Sequence, residues 1–551
     1  MTDITGLLHS QIGYDTAGPK RAMLRASSPD HIPPEAELRL IDLDRGTAGK
    51  VTPVSEGNHW GSSWWSADFS SVNQPGRYLL ALRLDDDRRI DGTPFSIGEN
   101  VLWDTTWRAT SIEQLDVRAE LARDNQGWQD CGAKLREVNS HAHMIIGLAD
   151  LLEHAAERIG SHDAARVQAH LIRGCDYLGI CQDHAPREGF PDGAIVHEIP
   201  SHADRVIPGD VALCVVALAR AAHVLANRSP DKSDEYRGRA DCAFTYLTAK
   251  ARPFSSEQYD PVPHGIAPGT PKPDEWMTRD LAAMLWGALC LYRAGVTSRA
   301  PDAFDLAGRM LARQIPRDAA EAGLYGHFHT FDSLPVSEKM WVHHGYGHDC
   351  GAVFPQYVRP LVELCRLFPD HADAPRWHDA VQRYARGYLI PACRANPFLL
   401  MPNGVHVDEG LLTFGGLWHG ANVSYAYTAA MALELERFLE EPLMRDIAVA
   451  NLQWIAGLHA GITTESLAGC ERWSDTIPAG VAVPYSMIYG IGERSAGTWT
   501  NIRGTLCNGF DVDQQFKFVV PPSADTDGPH MFTDEDWISH NGAWLQALVR
   551  L

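Results

Sequence analysis

The chain has 551 residues, 45% of them hydrophobic, with 48 Lys and Arg against 70 Asp and Glu for a formal net charge of -22. A negative field of that size repels phosphate backbones and anionic bilayers, so neither nucleic acid nor a membrane surface is an expected partner. The length exceeds one ordinary domain and the apolar content is ample for a large core, so a globular chain of at least two modules is expected.

The first residues, Met1-Thr2-Asp3-Ile4-Thr5-Gly6, lack a basic segment followed by an apolar one. No apolar run reaches the roughly 18–20 residues that span a bilayer, and a cytoplasmic location is expected. The 11 cysteines are odd in number, scattered and without a Cys-x-x-Cys pair. Cys175, Cys214, Cys290 and Cys365 fall inside helical patterns, so buried free thiols in a reducing compartment are expected. No zinc spacing is present, and neither a metal nor a cofactor is expected.

Residues 1–98 alternate short apolar segments with turn chemistry, as in Arg21-Ala22-Met23-Leu24-Arg25, Glu37-Leu38-Arg39-Leu40-Ile41 and Gly76-Arg77-Tyr78-Leu79-Leu80. A period of two with frequent turns predicts a small β-sandwich. Over residues 99–551 the period becomes helical, with strands nearly absent. The apolar spacing predicts helices at 137–159, 163–181, 209–227, 234–250, 278–294, 302–314, 351–368, 374–389, 421–439, 442–457 and 539–550, hence an all-α second domain.

Long segments between these helices, 184–208, 252–277, 316–350, 396–420 and 463–537, hold most of the Trp, His, Tyr and Asp that lie outside helical stripes. Binding residues concentrate on such loops. The densest is Trp341-Val342-His343-His344-Gly345-Tyr346-Gly347-His348-Asp349. Histidines separated by glycines do not form a buried helical face, so His343, His344, Tyr346, His348 and Asp349 are candidates to bind substrate hydroxyls or supply a base. Trp418 and His419 stand just before a predicted helix, where the indole face could stack on a sugar ring. Asn422 beside them could bind sugar or cap the helix.

Gly127-Trp128-Gln129-Asp130-Cys131-Gly132-Ala133 resembles the Gly-Trp-x-Asp-Ala-Gly-Asp segment of glycoside hydrolase family 9, with Ala133 where the second aspartate stands. Thr533-Asp534-Glu535-Asp536-Trp537-Ile538-Ser539-His540-Asn541 resembles the family's late catalytic-glutamate segment, Thr-Asp-x-Glu-x-x-Ile-x-x-Asn. Gln11-Ile12-Gly13-Tyr14-Asp15 and Pro75-Gly76-Arg77-Tyr78 resemble the immunoglobulin-like module that precedes many of its catalytic domains. The resemblance implies an immunoglobulin-like sandwich (1–98) followed by an (α/α)6 toroid (99–551) that cleaves a β-linked oligosaccharide by inversion, exo-acting on short substrates.

The same resemblance implies Glu535 as general acid and Asp130 as the group that positions or activates water. Inversion needs one protonated and one ionised carboxyl roughly 6.5–9.5 Å apart, and the methyl group of Ala133 cannot accept a proton. Of the family's His-His-Arg element only Arg503 has a counterpart, as a substrate contact. Two further readings follow from these departures. A lyase would abstract a proton next to a uronate carboxylate with Tyr346 or a histidine as base and Arg503 as the stabilising cation. A catalytically inactive relative would bind sugar only. Oligomeric state is not legible.

Overall fold

The computed structural model describes residues 4–85, 88–132, 135–253, 274–320, 322–332, 340–342, 356–402, 404–406, 410–412, 422–463, 471–472, 482–509, 511–512, 518–520 and 535–551. Two sheets form from the N-terminal strands. One has the order β1 (Ile4–Leu8), β3 (Arg21–Ala26), β7 (Ser62–Asp68), β6 (Pro53–His59). The other runs β2 (Tyr14–Asp15), β10 (Phe95–Gly98), β8 (Gly76–Arg83), β4 (Glu37–Asp42), β5 (Thr47–Val51), with β9 (Arg89–Asp91) paired to β8. Strict alternation sends Leu38 and Leu40 of β4 and Tyr78, Leu80 and Leu82 of β8 into the space between the sheets, where they meet Leu24, Phe69, Phe95 and Ile97.

In the first sheet β3 and β7 are buried on both faces, while the edge strand β6 is largely exposed. Leu24 and Ala22 face the sandwich, whereas Met23, Trp64, Leu8 and Ile12 belong to the core of the helical domain. Trp64 packs edge-on to Phe398 at 5.1 Å, and Gln11 exchanges backbone hydrogen bonds with Ala456 (2.8 Å) and Glu493 (2.9 Å). The sandwich is thus a wall of the larger core.

The helical domain contains α1 (Val101–Arg108), α2 (Gln114–Leu121), α3 (Val138–His154), α4 (Ala156–His184), α5 (Pro208–Leu225), α6 (Pro230–Ala249), α7 (Thr278–Arg293) and α8 (Ala300–Ala312). It continues with α9 (Arg359–Leu367), α10 (Ala374–Arg383), α11 (Ile390–Arg394), α12 (Asn422–Leu439), α13 (Leu443–Ile455) and α14 (Ile538–Leu548). Six of these close a ring by contact of neighbours: α3 with α5, α5 with α7, α7 with α9, α9 with α12, α12 with α14, and α14 with α3. Outside lie α4, α6, α8, α10, α13 and the α1–α2 rod, each against one inner helix. This is the (α/α)6 toroid expected.

Inner helices see protein on every side, so α5 reads as apolar throughout, while outer helices such as α8 and α10 bury only one stripe. With 18 residues, mean hydropathy 1.5 and 89% of its length buried, α5 is long and apolar enough to cross a membrane but is a core helix here. The α1–α2 rod was not among the expected helices. Short strand pairs within the loops, such as Met340–Val342 with Gly404–His406, were not expected either.

Helices α3 and α14 touch backbone to backbone. A Cβ at Gly542 would fall 2.2 Å from the His143 carbonyl oxygen, and one at Gly147 would fall 2.6 Å from that of Gly542. Glycine at both positions sets the segments that precede these two helices side by side.

Candidate active site

Asp130 lies in the segment before α3 and Glu535 in the segment before α14, and the two segments are hydrogen-bonded directly. The Ile538 N–H donates to the Asp130 carbonyl at 3.0 Å. The buried guanidinium of Arg118, on α2, bridges them again, donating to the Gln129 carbonyl at 2.9 Å and to Asp536 Oδ2 at 2.7 Å. Asp536 also accepts from the Thr500 amide at 3.1 Å, which fixes the residue next to Glu535. Trp128 is an anchor: its N–H donates to His141 Nε2 at 3.0 Å and its buried ring stacks on that imidazole. A Cβ at Gly132 would fall 2.4 Å from Cβ of Trp499, so glycine there lets the loop lie against the indole.

The Glu535 side chain is 4% exposed. Its carbonyl accepts from the Asn508 N–H at 2.7 Å and its Oε2 from the Asn508 side-chain amide at 3.5 Å, while His540 holds Asn508 from the other side. Burial pushes the Glu535 carboxyl up to about 8, against the contrary pull of Trp537 and Cys131 and with the negative charges of Glu137 and Asp536 adding to the rise. It is therefore protonated at neutral pH, as an acid catalyst must be.

Asp130 is fully buried, and its Oδ2 accepts the Glu137 backbone N–H. Burial, and then the Glu137 charge, hold its carboxyl well above the ordinary range. The Cys131 thiol lies near enough to both carboxyl groups to pull each of them down, against the rise that burial causes.

Four more titratable groups complete the cluster. Glu137 caps the start of α3 and sends Oε1 to His197 Nε2 at 3.3 Å. His197 Nδ1 meets Asp210 Oδ2, in the first turn of α5, at 2.7 Å. Burial disfavours the imidazolium, but the hydrogen bonds and charges of Asp210 and Glu137 outweigh it and hold His197 well above its ordinary value. Glu198 accepts the Arg136 N–H at 3.1 Å and is raised by burial and by the Glu137 charge. The N-terminal ends of α3, α5 and α14, with their partial positive charge, face this gathering of carboxyl groups.

Of the residues expected from sequence, Asp130 and Glu535 are brought together. Arg503 stands apart, half exposed, with its guanidinium on Glu113 Oε2 at 2.6 Å. Asn422 is fully buried and donates to the Cys507 carbonyl at 2.9 Å, tying the start of α12 to the segment that carries Asn508. His343, His344, Tyr346, His348, Asp349, Trp418, His419 and Ala133 lie outside the described residues.

Glu137, His197, Glu198 and Asp210 were missed. Glu137 was absorbed into an expected helix, although a glutamate at a position that favours Ser, Thr, Asp or Asn is a usable signal. Asp150, Glu153 and His154, at the opposite end of the ring, lie close enough together to hold a cation. Arg220, Arg359 and Arg550 occupy Asp150, and Arg293 occupies Glu153.

An immunoglobulin-like sandwich walled onto an (α/α)6 toroid, with carboxyl groups gathered where inner helices begin, defines the class. Residues 9–86 match the cellulase N-terminal ig-like domain family. Over its whole length the chain has the fold of glycoside hydrolase family 9 endoglucanases. A metagenome-derived family 9 endoglucanase superposes with a TM-score of 0.65 at 18% identity, covering 98% of both chains. A thermostable endoglucanase from Alicyclobacillus acidocaldarius gives 0.62 at 13% over 99% of both, and a family 9 protein of Bacteroides ovatus 0.59 at 14% over 99% of this chain and 98% of that one. At such identities the likeness is one of fold. Comparison with curated proteins gives no match.

Proposed function

We propose that the protein is a divergent family 9 glycoside hydrolase that cleaves a β-linked oligosaccharide by single displacement with inversion, exo-acting on short substrates. Glu535 donates its proton to the departing glycosidic oxygen, and Asp130 positions the attacking water on the opposite face of the sugar. The observation that carries this reading is the direct pairing of the Asp130 and Glu535 segments, by the Ile538 N–H and by Arg118, with the Glu535 carboxyl held protonated near neutral pH. Support also comes from the whole-chain fold and from a solved protein of that fold, AaCel9A, in complex with cellobiose-like isofagomine. Elimination draws no support from Arg503, whose charge is spent on Glu113.

The test is hydrolysis of cellotetraose and related β-linked tetrasaccharides followed by proton NMR, which should show the α-anomer first. An exo-acting enzyme releases one product size throughout, whereas internal cleavage gives several from the start. Glu535→Gln should lower kcat about a thousandfold and Asp130→Asn about a hundredfold, with folding intact. Unchanged turnover in Glu535→Gln would remove the acid assignment, and an unsaturated product absorbing in the ultraviolet would replace hydrolysis by elimination.

A further inference from the structure

The sequence has Ala133 where the family segment it resembles has its second aspartate, and Asp130 is fully buried. Glu137 comes from the same loop, four residues beyond Ala133, and its backbone N–H grips Asp130 Oδ2. Its carboxyl is clamped by His197, which is clamped in turn by Asp210. We propose that Glu137, held by the His197–Asp210 pair, is the general base that replaces the missing aspartate, an inference that rests on the hydrolase reading above.

Four carboxyl groups crowd this site, and the structure separates their roles. Glu198 is taken up by His202 Nδ1 at 3.2 Å and by the Arg136 N–H, whereas the imidazole on Glu137, at 3.3 Å, is itself backed by Asp210, and the Glu137 charge raises Asp130, Glu198 and Glu535 alike. The two carboxyl groups of Asp130 and Glu137 divide the work. Asp130, whose Oδ1 has no nitrogen or oxygen partner among the described residues, hydrogen-bonds the water, and Glu137 takes its proton. The water oxygen forms a bond to the anomeric carbon as the bond from that carbon to the leaving oxygen breaks. The Glu535 proton passes to the leaving oxygen, so the cycle ends with Glu137 protonated and Glu535 ionised, and exchange with solvent restores both. His197 and Asp210 are positioning residues.

The experiment uses the full chain with 2,4-dinitrophenyl β-glycosides of glucose, cellobiose, xylose and N-acetylglucosamine, whose leaving group needs no acid. On the best of these, Glu137→Ala should lose about a thousandfold in kcat with KM little changed, whereas Glu535→Ala should lose less than about tenfold. Sodium azide should restore turnover to Glu137→Ala and yield the α-glycosyl azide. Glu137→Gln, close to isosteric, repeats the loss should the alanine variant be unstable.

The pH profile gives an independent reading. Glu137 faces His197, His141, Asp130, Glu198 and Glu535; among these His197 is the one whose hydrogen bonds to Asp210 and Glu137 favour its cationic form, while burial holds His141 neutral. His197→Asn should therefore move the acid limb of kcat/KM upward by about one pH unit. Retention of kcat within tenfold by Glu137→Ala, with Glu535→Gln inactive on natural glycosides, overturns the base assignment and leaves the hydrolase reading standing. No turnover of any glycoside by the wild type, with all variants folded, removes both.

Discussion

Glu535 answers to opposite demands from chemistry and from stability. Folding lifts its carboxyl from 4.5 to about 8, chiefly through burial, so the native state holds this proton more tightly than the unfolded chain does. Below pH 4.5 both states are protonated and the group's contribution is fully present. As pH rises from 4.5 to about 8 the unfolded chain releases the proton first, stability falls, and above about 8 the loss is complete. Glu535→Gln, neutral at every pH, should therefore raise Tm by about 2–4 °C at pH 8.5 and change it little at pH 4. Calorimetry at the two pH values checks this, and a Tm that drops equally at both would mean that Glu535 is ionised in the native state. In the wild type the same proton sets the basic limb of kcat/KM, which should fall above about pH 8.

Among elements, the contact of α3 with α14 decides whether the two halves of the site meet. Gly542→Ala places a methyl group against the backbone of α3, and the helices must separate. The expected cost is about 1–3 kcal/mol in stability, and a larger loss in kcat than in KM because Glu535 moves relative to Asp130. Urea denaturation with steady-state kinetics measures both, and an unchanged kcat would show that the site does not depend on this crossing.

The elements differ in how far their sequence betrayed them. Inner helices such as α5 and outer ones such as α8 were legible because burial imposes a composition or a stripe. The α1–α2 rod was not, because the positions it buries include Thr106, Thr110, Ser111, Gln114 and Arg118 beside Leu102, Trp103, Ala109, Ile112 and Leu115, so apolar residues alone trace no stripe. Asp130 and Glu535 were legible because each sits in a local motif. The Glu137–His197–Asp210 chain was not, since its members come from three separate segments and meet only in the folded ring.

For the whole molecule, the sandwich and the toroid share one hydrophobic cluster, with Leu8, Ile12, Met23 and Trp64 among its members. Such a junction couples the unfolding of the two parts. Trp64→Ala should cost about 3–5 kcal/mol and lower the Tm of the entire protein rather than detach one domain. A single calorimetric transition that shifts as a unit is expected, and two resolved transitions in the wild type would contradict the coupling.

Ring closure has a further consequence for the order in which the chain assembles. The segment Ile538–Leu548 fills the last place between α12 and α3, and Arg118 finds Asp536 only when it arrives. On a ribosome α3 emerges long before its closing neighbour, so its apolar face must wait in water through most of the synthesis, a state of high contact order and open to aggregation. Because Glu535 rides on the segment that closes the ring, a chain made only as far as α13 lacks the proposed acid, and the acid arrives together with ring closure.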